Sequence, residues 1–344
     1  MSVDASVQLI HWYDSNARVL PWRARAGERS NPYRVWLSEI MLQQTTVAHA
    51  RPYFEAFTRR WPTVESLAAA DEGDVMAAWA GLGYYARARN LVACARRVAG
   101  EHAGRFPDGE AGLLKLPGVG RYTAAAIAAI AFGRRAVVVD ANVERVVSRL
   151  FAVKEPLPGA RSALHALADS ITPPERCGDF AQAMMDLGAT VCTVRNPDCA
   201  ICPIANGCEA RREGAPDRYP IKAPKSARPR RQGNAYWLEH DRHVLLVRRP
   251  AKGMLGGMLG LPTGRWDDEA EPGEGAPAVA HWAEAGSVHH VFTHFALTLR
   301  LYCAEVGQRS ADGMWWPVGE IGDAGLPTLF AKLAARGAAW QRAA

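Results

Sequence analysis

Apolar and small residues recur at helical spacing through the first 210 residues of the chain. The clearest stretches are 64–80, 86–101, 123–133 and 143–152, which are rich in Ala and are joined by short connections containing Gly, Pro or Asp. Repeated Ala pairs and the scarcity of alternating segments favour helices packed on helices. The pattern therefore predicts a mostly α-helical domain over residues 1–210.

The pattern changes after residue 210. Residues 211–233 are rich in Pro, Lys and Arg and show no apolar period, so they predict an extended, basic linker. Beyond them, short alternating runs at 235–238, 244–247 and 297–302 predict strands, and residues 326–342 predict a helix. Residues 234–344 are therefore expected to form a smaller α+β domain.

Length and charge add only broad limits to this picture. A chain of 344 residues exceeds what one hydrophobic core usually supports, and a formal net charge of +6 is a weak sign of an anionic partner. No apolar run approaches the roughly 18 residues of a membrane span. No secretory signal is visible, so a cytoplasmic protein is expected. Thiols stay reduced there, and the seven cysteines need an explanation other than disulfides.

Four of those cysteines lie within seventeen residues, at 192–208. Cys192, Cys199, Cys202 and Cys208 have the spacing C-x6-C-x2-C-x5-C. Four thiolates on one short loop can surround either an iron–sulfur cubane or a zinc ion. Structural zinc usually uses two C-x2-C pairs and this segment has one, but the spacing alone leaves both centres open.

A glycine-rich turn precedes an apolar helix at residues 116–121. In Leu116-Pro117-Gly118-Val119-Gly120 the glycines are expected to permit a tight turn whose backbone amides face outward. The helix that follows from Tyr122 adds its positive end. The segment therefore predicts a phosphate-binding hairpin that uses the backbone.

Two carboxylates lie in settings that suit a general acid and an electrostatic stabiliser. Glu39 shares a face of the predicted helix 35–45 with Val35 and Leu42. It is either an exposed helical glutamate or a partly buried one with a raised pKa. Asp140 precedes the predicted helix 143–150. An N-cap role there is compatible with electrostatic stabilisation of a cation.

In this order the motifs resemble the helix-hairpin-helix base-excision superfamily, and within it the MutY family of adenine DNA glycosylases. The resemblance covers nearly the whole chain. It implies a helical glycosylase domain that includes the hairpin and the cluster loop, followed by an α+β domain of the MutT-like (Nudix) fold. It further implies that the four cysteines hold one structural [4Fe–4S] cluster.

The resemblance also assigns chemical roles. The segment around Glu39 (SEIMLQQT) and the segment around Asp140 (VDANVERV) are similar to the family's catalytic segments. By this likeness Glu39 would protonate adenine N7, Asp140 would stabilise the sugar cation, and Asn142 would position Asp140 or water. Tyr122 stands where endonuclease III-type enzymes carry a lysine, and a phenol cannot form an imine. A monofunctional glycosylase is therefore expected, with Tyr122 either a hydrogen-bonding helper or a packing residue.

Further residues are implied to contact DNA. Pro21-Trp22-Arg23 resembles a motif near the adenine pocket, and residues 180–192 resemble the stretch that lines it. Residues 252–266 are similar to the MutT-like domain, but residues 264–290 lack the glutamates of a working pyrophosphatase. Phe292-Thr293-His294 resembles the loop that senses 8-oxoguanine. The implied DNA-binding residues are Trp22, Arg23, Gln43, Gln44, Thr45, Tyr84, Gly118, Gly120, Gln182, Phe292, Thr293 and His294.

The function implied is hydrolysis of the N-glycosidic bond of adenine mispaired with 8-oxoguanine or guanine in duplex DNA, by a monomer. Two alternatives stay open at this point. One is a related glycosylase that removes another base, such as mismatched thymine or an oxidised pyrimidine. The other is a non-catalytic DNA-binding protein that keeps this fold.

Overall fold

The computed structural model describes residues 2–24, 27–224, 228–250, 253–267, 269–271, 273–292, 294–309 and 311–340. The chain divides into two compact units, Met1–Pro224 and Lys225–Ala344. Within the described ranges, no helix has both the length and the apolar character required to cross a bilayer.

The first unit is built from helices and short connections. Its helices are α1 (Ser2–Asn16), α2 (Pro32–Leu42), α3 (Val47–Arg60), α4 (Val64–Ala68), α5 (Glu72–Ala78), α6 (Ala86–Glu101), α7 (Glu110–Leu113), α8 (Arg121–Phe132), α9 (Ala141–Leu150), α10 (Arg161–Ile171), α11 (Cys177–Thr190) and α12 (Glu209–Arg212). Two 3-10 turns at Ala205–Gly207 and Pro216–Arg218 lie beside α12.

Two predicted helices have different bounds in the structure. The prediction of one helix over 64–80 is wrong, because α4 ends at Ala68 and α5 begins after Asp71. The Asp71 side chain accepts a hydrogen bond from the backbone N–H of Asp74, which starts a new helix. The helix predicted over 35–45 ends at Leu42, so Gln43 and the residues after it lie in a loop.

Two hydrophobic cores stabilise the first unit. One gathers side chains of α2, α3, α6 and α8, and the other gathers side chains of α1, α9, α10 and α11. Helix α8 packs against both α2 and α11. Gly178 permits the second contact, because a Cβ there would lie 2.6 Å from the Ala129 carbonyl oxygen. Met185 of α11 packs against both cores, at the place where the site described below is found.

The second unit is a sheet covered on one face by a helix. Its elements are β1 (Arg230–His240), β2 (His243–Arg248), β3 (Leu259–Gly260), β4 (Ala283–Val291), β5 (Ala296–Glu305), β6 (Met314–Pro317) and α13 (Thr328–Trp340). The strand order is β3-β2-β1-β5-β4, and β6 pairs with β2. Strands β1 and β5 run parallel and the other pairs are antiparallel. Helix α13 packs on β1, β4 and β5.

Strand β4 was not predicted, and its sequence explains why. Its residues, AEAGSVHHV, are mostly exposed or half-buried at the edge of the sheet, and only Val288 is buried. An edge strand with few apolar residues gives almost no alternating pattern. Its position comes from backbone pairing with β5.

The linker predicted over 211–233 is not extended throughout. Tyr219 is buried in the first unit, where its hydroxyl donates to the Glu213 carboxylate at 2.7 Å. Leu157 pairs with Lys222 as an isolated bridge. At the other end, residues 230–233 belong to β1, because hydrogen bonding to β5 does not depend on apolar side chains.

Candidate active site

A cavity of about 530 Å³ lies between the two cores of the first unit. Ten of the sequence-predicted site residues line it together, although they come from five separate segments of the chain. They are Trp22, Arg23, Glu39, Gln43, Gln44, Thr45, Tyr122, Asp140, Asn142 and Gln182. The cavity therefore combines titratable groups with an apolar wall in one place, which is the usual character of a ligand site.

Glu39 is buried in the wall of this cavity, with 7% of its surface exposed. Burial removes water from the carboxylate and raises its pKa from 4.5 to about 7. A hydrogen bond from Tyr122 and the positive charge of Arg23 oppose this effect, and the negative charge of Asp140 adds to it. A carboxyl with this pKa carries a proton in half of the molecules at neutral pH and can deliver it to a bound group.

Tyr122 lies beside both carboxylates. Burial, together with the negative charges of Glu39 and Asp140, raises the pKa of its phenol well above the ordinary value. The phenol therefore keeps its proton and donates to Glu39. Of the two interpretations from sequence, hydrogen bonding to the site describes this residue better than packing alone.

Asp140 is held at the N-terminus of α9 by two hydrogen bonds. Its Oδ1 accepts from the Val143 backbone N–H at 2.7 Å, and its Oδ2 accepts from the Asn142 side-chain amide at 2.8 Å. Asp140 is thus an N-cap, and its carboxylate still lines the cavity. Two donors therefore hold the carboxylate in one orientation at the positive end of the helix.

Asn142 is held in turn by a residue that the sequence did not single out. Its Oδ1 accepts from Arg145 Nη2 at 2.9 Å, which fixes the orientation of the amide. Arg145 also donates to the carbonyl oxygens of Gly188 and Cys192. Continuous hydrogen bonds therefore connect the Asp140 carboxylate to the backbone of the first cysteine of the 192–208 loop.

Arg23 is engaged by a buried aspartate that sequence reasoning also missed. Both carboxylate oxygens of Asp186 accept from the Arg23 guanidinium, one of them at 2.7 Å, and Arg18 binds the same carboxylate. Asp186 has no exposed surface, and the arginines hold its pKa below the ordinary value in spite of its burial. Arg23 is thus held in a structural ion pair while it also lines the cavity, and its contact with the base or backbone of DNA stays a prediction.

The neighbouring Trp22 is buried, and its ring meets Phe54 edge-on with centroids 5.4 Å apart. Trp22 therefore lines the cavity from within the core. Gln182 also faces the cavity from α11, where its amide donates to the Gly178 carbonyl at 3.4 Å.

Two loops carry the residues predicted to enter DNA. Gln44 and Tyr84 both have left-handed backbone conformations, with φ of 57° and 50°. Such conformations strain residues other than glycine and are common at functional sites. Tyr84 is 54% exposed, although it does not line the cavity. Gln43 and Thr45 belong to the first of these loops.

Arg87 ties the two loops together. Its guanidinium donates to the carbonyl oxygens of Ile40, Met41 and Gln43 on one side, and to those of Leu82 and Gly83 on the other. No sequence pattern indicated this residue, because its partners are backbone atoms up to 47 positions away.

The hairpin at 116–121 lies outside the cavity. Gly118 has φ of +73°, and a Cβ there would lie 2.7 Å from Asn90 Cβ, so the turn requires glycine at this position. Gly120 does not use this conformational freedom. Its φ is −90°, an ordinary conformation, and it is the N-cap of α8 with open space around it.

Cys192, Cys199, Cys202 and Cys208 line one small cavity together with Arg149. Arg149 donates to Cys192 Sγ at 3.3 Å, and the backbone amides of Ile204 and Ala210 donate to Cys202 and Cys208. Four sulfurs around one cavity, three of them with donors directed at them, fit thiolate ligation of a cluster.

Among the described residues, no group of three His, Cys, Asp or Glu side chains is arranged to hold a single metal ion. A cubane separates its four thiolates more widely than one ion separates its ligands, so a cluster is compatible with this finding. The other cysteines, Cys94, Cys177 and Cys303, are buried apart from the loop.

In the second unit, Phe292 belongs to an aromatic group. Its ring stacks on Trp266 with centroids 6.0 Å apart and contacts Phe295 at 5.0 Å. The Arg249 guanidinium lies 4.5 Å from the centre of the Trp266 ring. His294 is exposed, and Thr293 lies outside the described residues.

Three family models match parts of the chain. Residues 37–172 match the HhH-GPD superfamily of base excision DNA repair proteins, and residues 192–208 match the iron-sulfur binding domain of endonuclease III. Residues 234–336 match the NUDIX domain. The predicted fold class is confirmed, and the cysteine loop is an iron–sulfur motif, which decides between the two metal centres that spacing alone left open.

Relatives of known name are similar over most of the length. Human adenine DNA glycosylase is 36% identical over 358 residues, which cover 86% of this chain and 65% of that protein. The chain thus spans less than two thirds of the human relative's length. The adenine DNA glycosylase of Buchnera aphidicola is 32% identical, over 94% of this chain and 95% of that one. A solved thermostable thymine-DNA glycosylase has a TM-score of 0.54 and 31% identity, covering 60% of this chain and 95% of its own.

Proposed function

The chain belongs to the adenine DNA glycosylase family, and from this premise we propose that it hydrolyses the N-glycosidic bond of adenine mispaired with 8-oxoguanine or guanine in duplex DNA. The observation that carries the proposal is the pairing of two carboxyl groups of different character in one cavity. Glu39 is buried and has a pKa of about 7. Asp140 is held by two hydrogen-bond donors at a helix N-terminus.

In the proposed reaction Glu39 is the general acid. Its proton moves to N7 of the extruded adenine, so the electron pair of the C1′–N9 bond can leave with a neutral base. A positive charge develops on the deoxyribose as this bond breaks. The Asp140 carboxylate stabilises that cation, and Asn142 keeps the carboxylate oriented.

Water then completes the hydrolysis. A water molecule adds its oxygen to C1′ and returns a proton to the Glu39 carboxylate, which restores the starting state of the enzyme. The products are free adenine and an abasic site. Tyr122 supplies no amine for attack on C1′, so base release without strand cleavage is proposed.

The cluster has a supporting role in this proposal. Bound by Cys192, Cys199, Cys202 and Cys208, it would cross-link the loop whose backbone reaches Asn142 through Arg145. No step of the chemistry uses it.

Recognition of the mispair is assigned to the second unit. Phe292 and His294 belong to the loop between β4 and β5. His294 is exposed and Phe292 is half-buried, which supports contact of this loop with 8-oxoguanine. DNA containing the mispair is the proposed partner. A monomeric state and a cytoplasmic location, at the nucleoid in a bacterial cell, stay predictions from the sequence.

Base release from defined duplexes tests the proposal. Four otherwise identical duplexes are incubated with excess enzyme, and the free bases are separated and identified. They carry A opposite 8-oxoguanine, A opposite G, T opposite G or only normal pairs. Adenine release from the first two duplexes is expected. Release of thymine instead would favour the activity named for the solved structural neighbour. Binding without any release would favour a non-catalytic DNA-binding protein.

The absence of strand cleavage is tested in the same samples. Borohydride reduces an imine to a stable adduct, so a lysine-based lyase would be trapped covalently on the DNA. No trapped complex and intact abasic strands are expected. A trapped complex would contradict the role assigned to Tyr122.

A further inference from the structure

A cavity of about 780 Å³ lies in the second unit. Its lining residues are Arg228, Arg230, Arg231, Gln232, His289, Ala296 and Thr298. We propose that this basic cavity binds backbone phosphates of the duplex beside the mispair. The proposal rests on the proposed function, since it takes DNA as the ligand.

The register of the sheet builds the cavity on the face away from α13. Arg230 pairs with Ala296, and Thr298 lies between Gln232 of β1 and His289 of β4. Residues paired across neighbouring strands point to the same face. The intervening residues, such as Leu297, belong to the core under α13. The open face of the sheet therefore presents Arg230 and His289 to solvent.

The charge of the cavity is positive and is not compensated. Among the residues that the structure describes, its lining contains three arginines and no carboxylate. Within the described chain, Arg228, Arg230 and Arg231 take part in no salt bridge, and the only ring contact of Arg231 is with Phe295. The carboxylate in register with this face, Asp267, lies 3.7 Å from Arg265 instead. Unpaired guanidinium groups bind phosphate oxygens strongly.

The chemistry of the lining favours phosphate over a base. No Phe, Tyr or Trp side chain of the described part of the chain lines the cavity, so these residues offer no platform on which a nucleobase would stack. A backbone contact holds a duplex in register without reading its sequence.

The position of the cavity points to phosphates near the lesion. His289 lies three residues before Phe292 at the end of β4, and Ala296 lies two residues after His294 at the start of β5. Base sensing and phosphate binding thus occupy the same end of the sheet. Phosphates close to the 8-oxoguanine contact would be within reach of the arginines.

The first test is the salt dependence of binding. The double variant Arg228→Gln/Arg230→Gln is compared with Arg309→Gln, an exposed arginine beyond the opposite end of β5. Affinity is measured between about 50 and 200 mM salt, for undamaged duplex and for duplex with 2′-fluoro-deoxyadenosine opposite 8-oxoguanine, which blocks turnover. Loss of two phosphate contacts lowers the slope of log K against log salt by roughly 2. The control variant is expected to keep the wild-type slope.

The second test locates the contact on the DNA. Individual phosphates near the lesion are replaced by neutral methylphosphonates. One or two replacements are expected to weaken binding of the wild-type protein by roughly tenfold or more and to have little effect on the double variant. Equal effects on both proteins, or a salt slope no different from that of the control, would overturn the proposal.

Failure of this inference is distinguishable from failure of the proposed function. Adenine release by the wild-type protein tests the proposed function, and neither arginine of the double variant lies in the catalytic cavity. A wild-type protein that released no adenine would contradict the proposed function. The salt series on undamaged duplex would still test the phosphate site.

Discussion

At the residue scale, burial of Glu39 sets the pH range of the reaction. Its pKa of about 7 means that the protonated, reactive form is lost as the pH rises through neutrality. The single-turnover rate of adenine release should be constant below this pKa and fall tenfold per pH unit above it. Below that pKa, Glu39→Gln should reduce the rate by roughly 10² to 10⁴ and leave duplex affinity unchanged. Wild-type activity in this variant would remove Glu39 as the general acid.

Tyr122 tunes that pKa through its hydrogen bond. The bond favours the charged carboxylate, so Tyr122→Phe should raise the pKa of Glu39 and move the fall in rate to higher pH. The maximal rate should fall by less than about tenfold, as expected for one hydrogen bond. Tyr33→Phe, which removes a hydroxyl bonded to the Trp61 carbonyl away from the cavity, is the matched control and should leave the pH profile unchanged.

Burial of Glu39 also lowers the stability of the fold at alkaline pH. The folded pKa lies above the unfolded one, so stability is lost as the pH rises from about 4.5 to about 7. Above this range the cost is about 3 kcal/mol. Glu39→Gln should therefore raise the midpoint of thermal unfolding at pH 8.5, and raise it less at pH 5.5. An equal gain at both pH values would contradict the assigned pKa.

At the scale of elements, Arg87 determines how the loops after α2 and after α5 are held. Arg87→Met keeps the aliphatic stem and removes the donors to five carbonyl oxygens. We expect a loss of about 2–4 kcal/mol in stability and faster hydrogen exchange at residues 81–85. Arg96→Met, on the exposed side of the same helix, is the control. It should change the free energy of unfolding by no more than about 0.5 kcal/mol and leave hydrogen exchange at residues 81–85 unchanged.

The elements themselves were predicted to different degrees. Helix α6 was predicted at its observed bounds. Its apolar residues repeat with a helical period, and the backbone hydrogen bonds of a helix join residues that are close in sequence. Strand β4 was not predicted, because it is positioned by hydrogen bonding to β5 and not by an alternating pattern in its own sequence. The split between α4 and α5 was also missed, although the capping Asp71 is a recognisable signal.

At the scale of the whole molecule, the cluster loop should stabilise the first unit as a cross-link. Cys202→Ser removes one thiolate ligand of the cluster. The iron content should fall below the expected value of about four atoms per chain, and the visible absorption of the cluster should weaken. The midpoint of thermal unfolding should fall as well. Cys177→Ser replaces a buried thiol outside the loop and should keep full colour. A colourless wild-type protein that contains zinc would contradict the cluster.

The sequence alone determined the features that depend on neighbours along the chain. These are the helical period of the first unit, the spacing of the four cysteines, the hairpin at Gly118 and the capping position of Asp140. In each case the physical cause acts over a few residues, through backbone hydrogen bonds or the reach of one loop.

Only the tertiary structure decided the chemistry of the site. Whether Glu39 is exposed or buried depends on Tyr122, 83 positions away, and on the packing of α2 against α8. The ion pair of Arg23 with Asp186 joins residues 163 positions apart. Desolvation and ion pairing depend on the groups that the fold brings into contact. The sequence therefore indicated Glu39 as the candidate acid, and the tertiary structure determined its pKa.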